Sequence, residues 1–367
     1  MASIDKRPNG KWRARYRTPD GQSRGRIFDR KVDAERHLAG VEHSKLIGDF
    51  ADPVLGRQTF ASWWEAWRST RVDLRPSTLA RDESYARNHI LPKLGAVPLA
   101  AIDRTMLRTW VAELTGKGLA PATVVKAVQL TSKALAAAAD ERLISKNPAE
   151  RLPLPRVEVE EMRFLGPAEI ATLADVIDPR YRLWALTAAY SGLRFGELAG
   201  LRRGRVDLMR RKLDVAEIVV EVRGHHYLGP PKTRAGKRSV PIPGFLVGEL
   251  TAWTAGMAPD ALVFPAPEGG PLRASAYRRR VWQPAIEAAG VAPLRPHDLR
   301  HSAVALWIAA GASAKEIAVW AGHSSVATVL DRYGHLLPGQ ENRVTDALEA
   351  MFQASAPTPT ATVLGLR

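Results

Sequence analysis

A chain of 367 residues, 46% of them hydrophobic, is long enough for two or three domains with cores of their own. It carries 53 Lys and Arg against 38 Asp and Glu, a formal net charge of +15 that favours a polyanionic partner. Cys is absent, which excludes a disulfide frame and a Cys-based metal site, and no stretch approaches the about eighteen continuous apolar residues of a membrane span. With a charged start, Met1 to Gly10, that holds no apolar signal core, these features predict a cytoplasmic protein without a membrane partner.

Residues 1–55 form the first predicted unit. Lys11-Trp12-Arg13-Ala14-Arg15-Tyr16-Arg17 alternates basic with apolar or aromatic residues, Pro19-Asp20-Gly21 signals a turn, and Gln22 to Phe28 reads as the returning strand. The alternation puts Arg13, Arg15 and Arg17 on one face and Trp12, Ala14 and Tyr16 on the other. Such a strand can be a solvated edge or can enter a DNA groove, and the flanking basicity favours the groove. A helix from Lys31 to Ile47 follows, closed by Gly48.

Residues 56–150 read as entirely helical, with periodic segments near Thr59 to Ser69, Pro76 to Ile90, Asp103 to Thr115 and Pro121 to Glu141. Pro76 and Pro121 suit first-turn positions. Trp63, Trp64 and Trp67 share a helix face and are expected in the core. From Pro148 to Glu161 three prolines and an acidic run mark a linker, set at 151–162.

The last domain, 163–350, carries the chemistry-bearing motifs. In Ser191-Gly192-Leu193-Arg194-Phe195-Gly196-Glu197-Leu198, an Arg follows a glycine turn and Glu197 lies three residues on, so the guanidinium can be oriented by the carboxylate; a plain surface ion pair is the alternative. Next comes Pro230-Pro231-Lys232-Thr233-Arg234-Ala235-Gly236-Lys237-Arg238-Ser239-Val240-Pro241. Glu217 to Val222 and Arg238 to Ile242 read as strands, which places Lys232 at or near a hairpin connection, able to deliver an ammonium group to a bound backbone; Lys237 and Arg238 beside it could make phosphate contacts. In Leu294-Arg295-Pro296-His297-Asp298-Leu299-Arg300-His301, Asp298 is a candidate N-cap of a helix that Gly311 stops, and His297 and Arg300 can face one side of its anion-favouring N-terminus. The His297/His301 pair has the spacing of a zinc helix, but Asp298 replaces the expected glutamate and no third ligand is evident. Ala321-Gly322-His323-Ser324-Ser325 and Asp331-Arg332-Tyr333-Gly334-His335 complete the set, at the ends of two further short helices.

The ordered residues Arg194, Lys232, His297, Arg300, His323 and Tyr333 resemble the tyrosine recombinases, in particular phage-type integrases. Five motifs occur in that family's order, and the front half resembles the arm-binding and core-binding domains of integrases. One departure is Ala321, where many relatives have Leu. The resemblance implies a multidomain α+β protein: a small N-terminal β-sheet plus helix (1–55, arm-type DNA-binding), an all-helical core-type DNA-binding domain (56–150), and a mixed, mainly helical catalytic domain with a small antiparallel sheet. It implies a site-specific recombinase that cuts and rejoins DNA through a 3′-phosphotyrosyl intermediate, with no cofactor and no metal. Tyr333 would be the nucleophile, Lys232 the acid for the leaving oxygen, His297 an acid or base towards the tyrosine, and Arg194, Arg300 and His323 the phosphate-binding set, with Glu197 orienting the pocket. Arg13, Arg15, Arg17, Lys237 and Arg238 are the expected DNA contacts. The implied partners are double-stranded DNA with core-type and arm-type sites, three further copies of the chain in a homotetramer, and a DNA-bending accessory protein or excision factor. The tail, 351–367, is read as disordered or, as in relatives, packed on a neighbouring protomer. A type IB topoisomerase-like nicking-closing enzyme and a noncatalytic DNA-binding regulator are the alternatives.

Overall fold

The computed structural model describes residues 2–48, 50–158, 162–231, 233–336 and 340–355. The chain forms two compact units, Met1–Val159 and Glu160–Arg367.

In the first unit, strands β1 (Ser3–Lys6), β2 (Trp12–Arg17) and β3 (Ser23–Phe28) form an antiparallel sheet in that order, with Trp12 opposite Phe28 and Arg17 opposite Ser23. The period-2 alternation of β2 buries Ala14 and Tyr16 against Ala34, Leu38 and Val41 of the Lys31–Leu46 helix and leaves Arg15 and Arg17 exposed. The helical part follows with helices Phe60–Thr70, Pro76–Tyr85, Arg104–Gly116 and Pro121–Asp140. Thr59 and Asp103 cap two of them by accepting from the Ser62 and Met106 amides, and Pro76 and Pro121 occupy first-turn positions that need no amide donor. Trp63 and Trp64 are buried as expected, and Trp63 Nε1 donates to the Ala134 carbonyl at 2.8 Å. Trp67 is only partly buried, with the Arg71 guanidinium 4.4 Å over its ring.

The second unit is mainly helical. Helices Pro167–Val176 and Pro179–Ser191 pack around Trp184, Tyr277 and Trp282, whose rings meet at 4.6–6.4 Å. Strands β4 (Val206–Asp207), β5 (Lys212–Val215), β6 (Ile218–Val222), β7 (His225–Gly229) and β8 (Arg238–Pro241) make two sheets, ordered β4-β5-β8 and β6-β7. This corrects the expected hairpin between β6 and β8. The chain turns back earlier, at Arg223-Gly224, both at positive φ, and pairs β6 with β7, whereas β8 pairs with β5. His225-His226-Tyr227-Leu228-Gly229 lacks the clean apolar alternation that would announce a strand. Lys232 falls between β7 and β8 and lies outside the described residues.

Helices Asp298–Ala309, Ala314–Ala321 and Ala327–Tyr333 close the unit around Val304, Ile308, Ile317, Val329 and Tyr333. Asp298 opens its helix from the first turn and not from the cap: its carboxylate accepts from the Arg295 amide at 2.7 Å. A helix at Gln340–Ser355 follows; of the tail, 356–367 lie outside the described residues. Among the described residues no helix is long and apolar enough to cross a membrane.

Candidate active site

Two helix ends build the site. The Pro179–Ser191 helix stops at Gly192 and the Ala314–Ala321 helix at Gly322, with φ of 60° and 62°. A left-handed C-terminal residue favours glycine, and the surroundings reinforce the choice. A Cβ on Gly192 would stand 2.8 Å from the Trp307 ring, and one on Gly322 would stand 2.9 Å from the Ala235 carbonyl oxygen. A helix end leaves carbonyls without helical partners, and the macrodipole makes them a seat for a cation. Arg300 occupies both seats: Nη1 donates to the Gly192 carbonyl at 2.7 Å and Nη2 to the Ala321 carbonyl. The residue is 3% exposed. One arginine thereby draws together three motifs that are far apart in the chain.

The second anchor is Glu197. Its carboxylate accepts from the Arg194 backbone amide and Nη1, each at 2.8 Å, and from Arg238 Nη1 and Nη2, each at 2.9 Å. Burial alone would raise its pKa; the paired Arg238 and then Arg194 overcome that and hold it down at about 2. Arg194, with 40% of its side chain exposed, is thus held by Glu197 while reaching solvent. Arg238 is a correction to the expected set of DNA contacts. Its side chain is 3% exposed and is engaged by Glu197, by the Gly236 carbonyl and, through Nε, by the Trp320 carbonyl at 2.5 Å, so it serves the interior of the site and not an exposed DNA-contact face. Lys237, next to it, is exposed.

Arg194, Glu197, Pro231, Thr233, His323 and Ser324 line a cavity of about 440 Å³. A larger one of about 700 Å³ lies in the first unit, between 51–53, 99–104 and 143–151, and contains none of the expected catalytic residues. His323 Nε2 stands 3.3 Å from Arg300 Nη2, while its buried Nδ1 has no partner among the described residues. Desolvation, then Arg300 and Arg194, push the His323 pKa down to about 4. Arg300 itself is lowered to about 9 by burial and the neighbouring Arg194, and still charged at neutral pH. Three guanidinium groups thus converge with one carboxylate, an arrangement that an incoming anion relieves.

His297 is exposed, and desolvation, then His301, Arg300 and Arg194, push its pKa down to about 4. Tyr333 does not line the cavity. It is 1% exposed, its ring lies 6.3 Å from that of Phe164, and its hydroxyl is 2.5 Å from His301 Nδ1. Burial raises its pKa, partly offset by Arg300 and Arg332. The sequence weighed His301 only as half of a zinc spacing; its position directly after Arg300, on the next helix face, was the signal for a second role. Among the described residues no group of three or more His, Asp or Glu side chains gathers as metal ligands would. In the first unit Arg13 and Arg15 both approach Asp5, at 2.9 and 3.4 Å, and Arg17 is exposed beside them.

Known families share this pattern along most of the chain. The phage integrase family matches residues 163–339, the phage integrase N-terminal domain residues 2–47, and the phage integrase N-terminal SAM-like domain residues 59–115. The chain belongs to the phage integrase family. It is a site-specific tyrosine recombinase of the class that integrates mobile elements. The prophage phiRv2 integrase of Mycobacterium tuberculosis is 28% identical over 358 residues, covering 94% of each chain. Among solved structures, the Tn1549 transposon integrase in complex with circular intermediate DNA superposes with a TM-score of 0.68 at 20% identity, covering 82% of this chain and all of that one. A lambda integrase tetramer bound to a Holliday junction gives 0.57 at 19%, covering 89% and 93%. At such identities the structures speak for the fold.

Proposed function

We propose that the cavity lined by Arg194, Glu197, Gly322 and His323 receives a scissile DNA phosphodiester, and that Tyr333 attacks it to form a 3′-phosphotyrosyl link. The observation that carries this reading is the convergence of Arg194, Arg238 and Arg300 on the single Glu197 carboxylate, beside a cavity that Arg194 and His323 line. Arg194 and Arg300, with His323, meet the charge that grows on the nonbridging oxygens during attack. Glu197, gripped by Arg238, keeps Arg194 in place. Lys232 protonates the departing 5′-oxygen, and His297, neutral at physiological pH, exchanges protons on the tyrosine side. The link preserves the energy of the broken bond, so a 5′-hydroxyl of a second duplex can reverse the step without ATP, metal or cofactor.

In this reading the strand face of Arg13, Arg15 and Arg17 meets arm-type sites, the helical residues 56–150 meet core-type sites, and four copies act on two duplexes in the cytoplasm of a bacterial host. Integration and excision of a phage or other mobile element is the outcome, with a DNA-bending protein or excision factor assisting. The lambda integrase tetramer on a junction and the DNA-bound Tn1549 integrase support the assembly by likeness of fold. The test is adduct formation on a nicked duplex carrying the element's attachment core. Wild type forms an SDS-resistant adduct, Tyr333→Phe binds the duplex and forms none, and an adduct in that variant would place the nucleophile elsewhere.

A further inference from the structure

Tyr333 presents a chemical problem that the arginine cluster does not solve. A buried phenol attacks poorly as a neutral hydroxyl, and its proton needs an acceptor within hydrogen-bond reach. The structure supplies one outside the six residues to which the resemblance gives catalytic roles. His301 lies in the Asp298–Ala309 helix, is 7% exposed, and holds its Nδ1 2.5 Å from the Tyr333 hydroxyl. His297 meets His301 ring to ring, edge on at 5.3 Å, so it stands one side chain behind and acts on the tyrosine side only through His301.

We propose that His301 is the general base of strand cleavage: neutral Nδ1 accepts the phenolic proton as the Tyr333 oxygen bonds to phosphorus. The inference rests on the assignment of Tyr333 as nucleophile. In the step one O–H bond and one P–O5′ bond break, one P–O bond and one N–H bond form, and the departing 5′-oxygen takes its proton from the acid assigned to Lys232. Resealing runs the same exchange backwards, with imidazolium returning the proton to the phenol oxygen. No outside reactant is needed.

The surroundings couple this transfer to substrate. Among the described residues, the groups facing His301 are Asp298 and Arg300 on its own helix, His297 at that helix's N-cap, Arg295 just before it, and Arg332 with Tyr333 on the Ala327–Tyr333 helix. Desolvation lowers its pKa, Asp298 opposes this, and Arg332, Arg300 and Arg295 add to the lowering, so the resting residue is a neutral acceptor. A phosphodiester seated beside Arg300 offsets that positive field. Imidazolium then becomes easier to form just when the tyrosine has a phosphorus to attack.

The experiment compares wild type, His301→Asn and Tyr333→Phe as full chains on the nicked attachment-core duplex, following single-turnover adduct formation from pH 4 to pH 8. Asn keeps an acceptor near the Nδ1 position but takes no proton. The proposal expects normal melting and DNA binding for His301→Asn and cleavage slower by roughly 10²- to 10⁴-fold. It also expects loss of the acid limb that protonation of His301 imposes, on the lowered side of the ordinary histidine value. Replacing Tyr333 by 3,5-difluorotyrosine, a phenol that ionises near neutrality, should recover most of the lost rate. If His301→Asn fails to fold, His301→Gln, whose longer side chain likewise takes no proton, should show the same loss of rate and of the acid limb. Cleavage at the native rate with an unchanged pH profile would overturn the proposal. Faster cleavage would overturn it too, since His301 would then only hold the tyrosine back. An adduct in Tyr333→Phe would instead sink the nucleophile assignment on which the inference rests.

Discussion

Glu197→Gln removes one charge from the most buried ion pair of the site, and its effect can be worked out in advance. The ordinary value of the carboxyl is 4.5, and in the fold it lies at about 2. That difference corresponds to roughly 3 kcal/mol favouring the ionised form in the folded state. With both side chains nearly without solvent, little of this is screened away. The variant also leaves the Arg238 guanidinium buried beside a neutral amide, and removing one partner of a buried pair costs about 3–5 kcal/mol. The pH dependence carries the sign. The folded carboxyl has the lower pKa, so its stabilisation is fully present above about 4.5 and is lost as pH falls towards about 2. Urea denaturation of the full chain should therefore show the variant less stable by about 3 kcal/mol at pH 7, and by about half that at pH 3. A gap below about 1 kcal/mol at pH 7, or one that does not shrink on acidification, would refute the reasoning.

Other expectations follow from the same geometry. Gly322→Ala puts a Cβ on a residue at φ 62°, close to the Ala235 carbonyl and the Arg238 side chain, and should cost roughly 1–3 kcal/mol and slow cleavage by displacing His323 and the Ala321 carbonyl; a thermal melt and adduct rate equal to the native ones would contradict this. Lys232→Ala should cleave slowly on ordinary DNA and recover on a substrate with a 5′-bridging phosphorothiolate, whose leaving sulfur needs no acid. Without such recovery, the acid is another group. Cleavage should also continue in EDTA, and its loss there would restore the metal reading of His297 and His301.

Much of the site was legible because its motifs are local. Gly192 with Arg194 and Glu197, and Gly322 with His323, each fit within one helix end, where turn chemistry and charge spacing speak directly. What the sequence could not show is which distant groups complete them. Arg238 looked like a surface cation in a run of basic residues, yet its partner Glu197 is forty-one positions away, and only the fold reveals that the pair is buried. His301 was hidden in the same way, since the hydroxyl it meets is thirty-two residues further on. The strand pairing failed for another reason: Val222-Arg223-Gly224-His225 makes a tight turn with a non-glycine residue at positive φ, and the strand after it mixes His with Tyr and Gly. Periodicity was dependable where one face is buried, as in β2 and the helices of the first unit.

The most direct measurement of the central claim is covalent capture. Wild type and Tyr333→Phe are incubated with element and host DNA in EDTA, denatured in SDS, and the protein-linked fragments sequenced. The account predicts adducts at one discrete site, joined through a 3′-phosphate, in wild type alone. Adducts in the Tyr333→Phe protein would contradict the assigned nucleophile, and adducts scattered without sequence preference would contradict site-specific recombination in favour of topoisomerase-like nicking and closing.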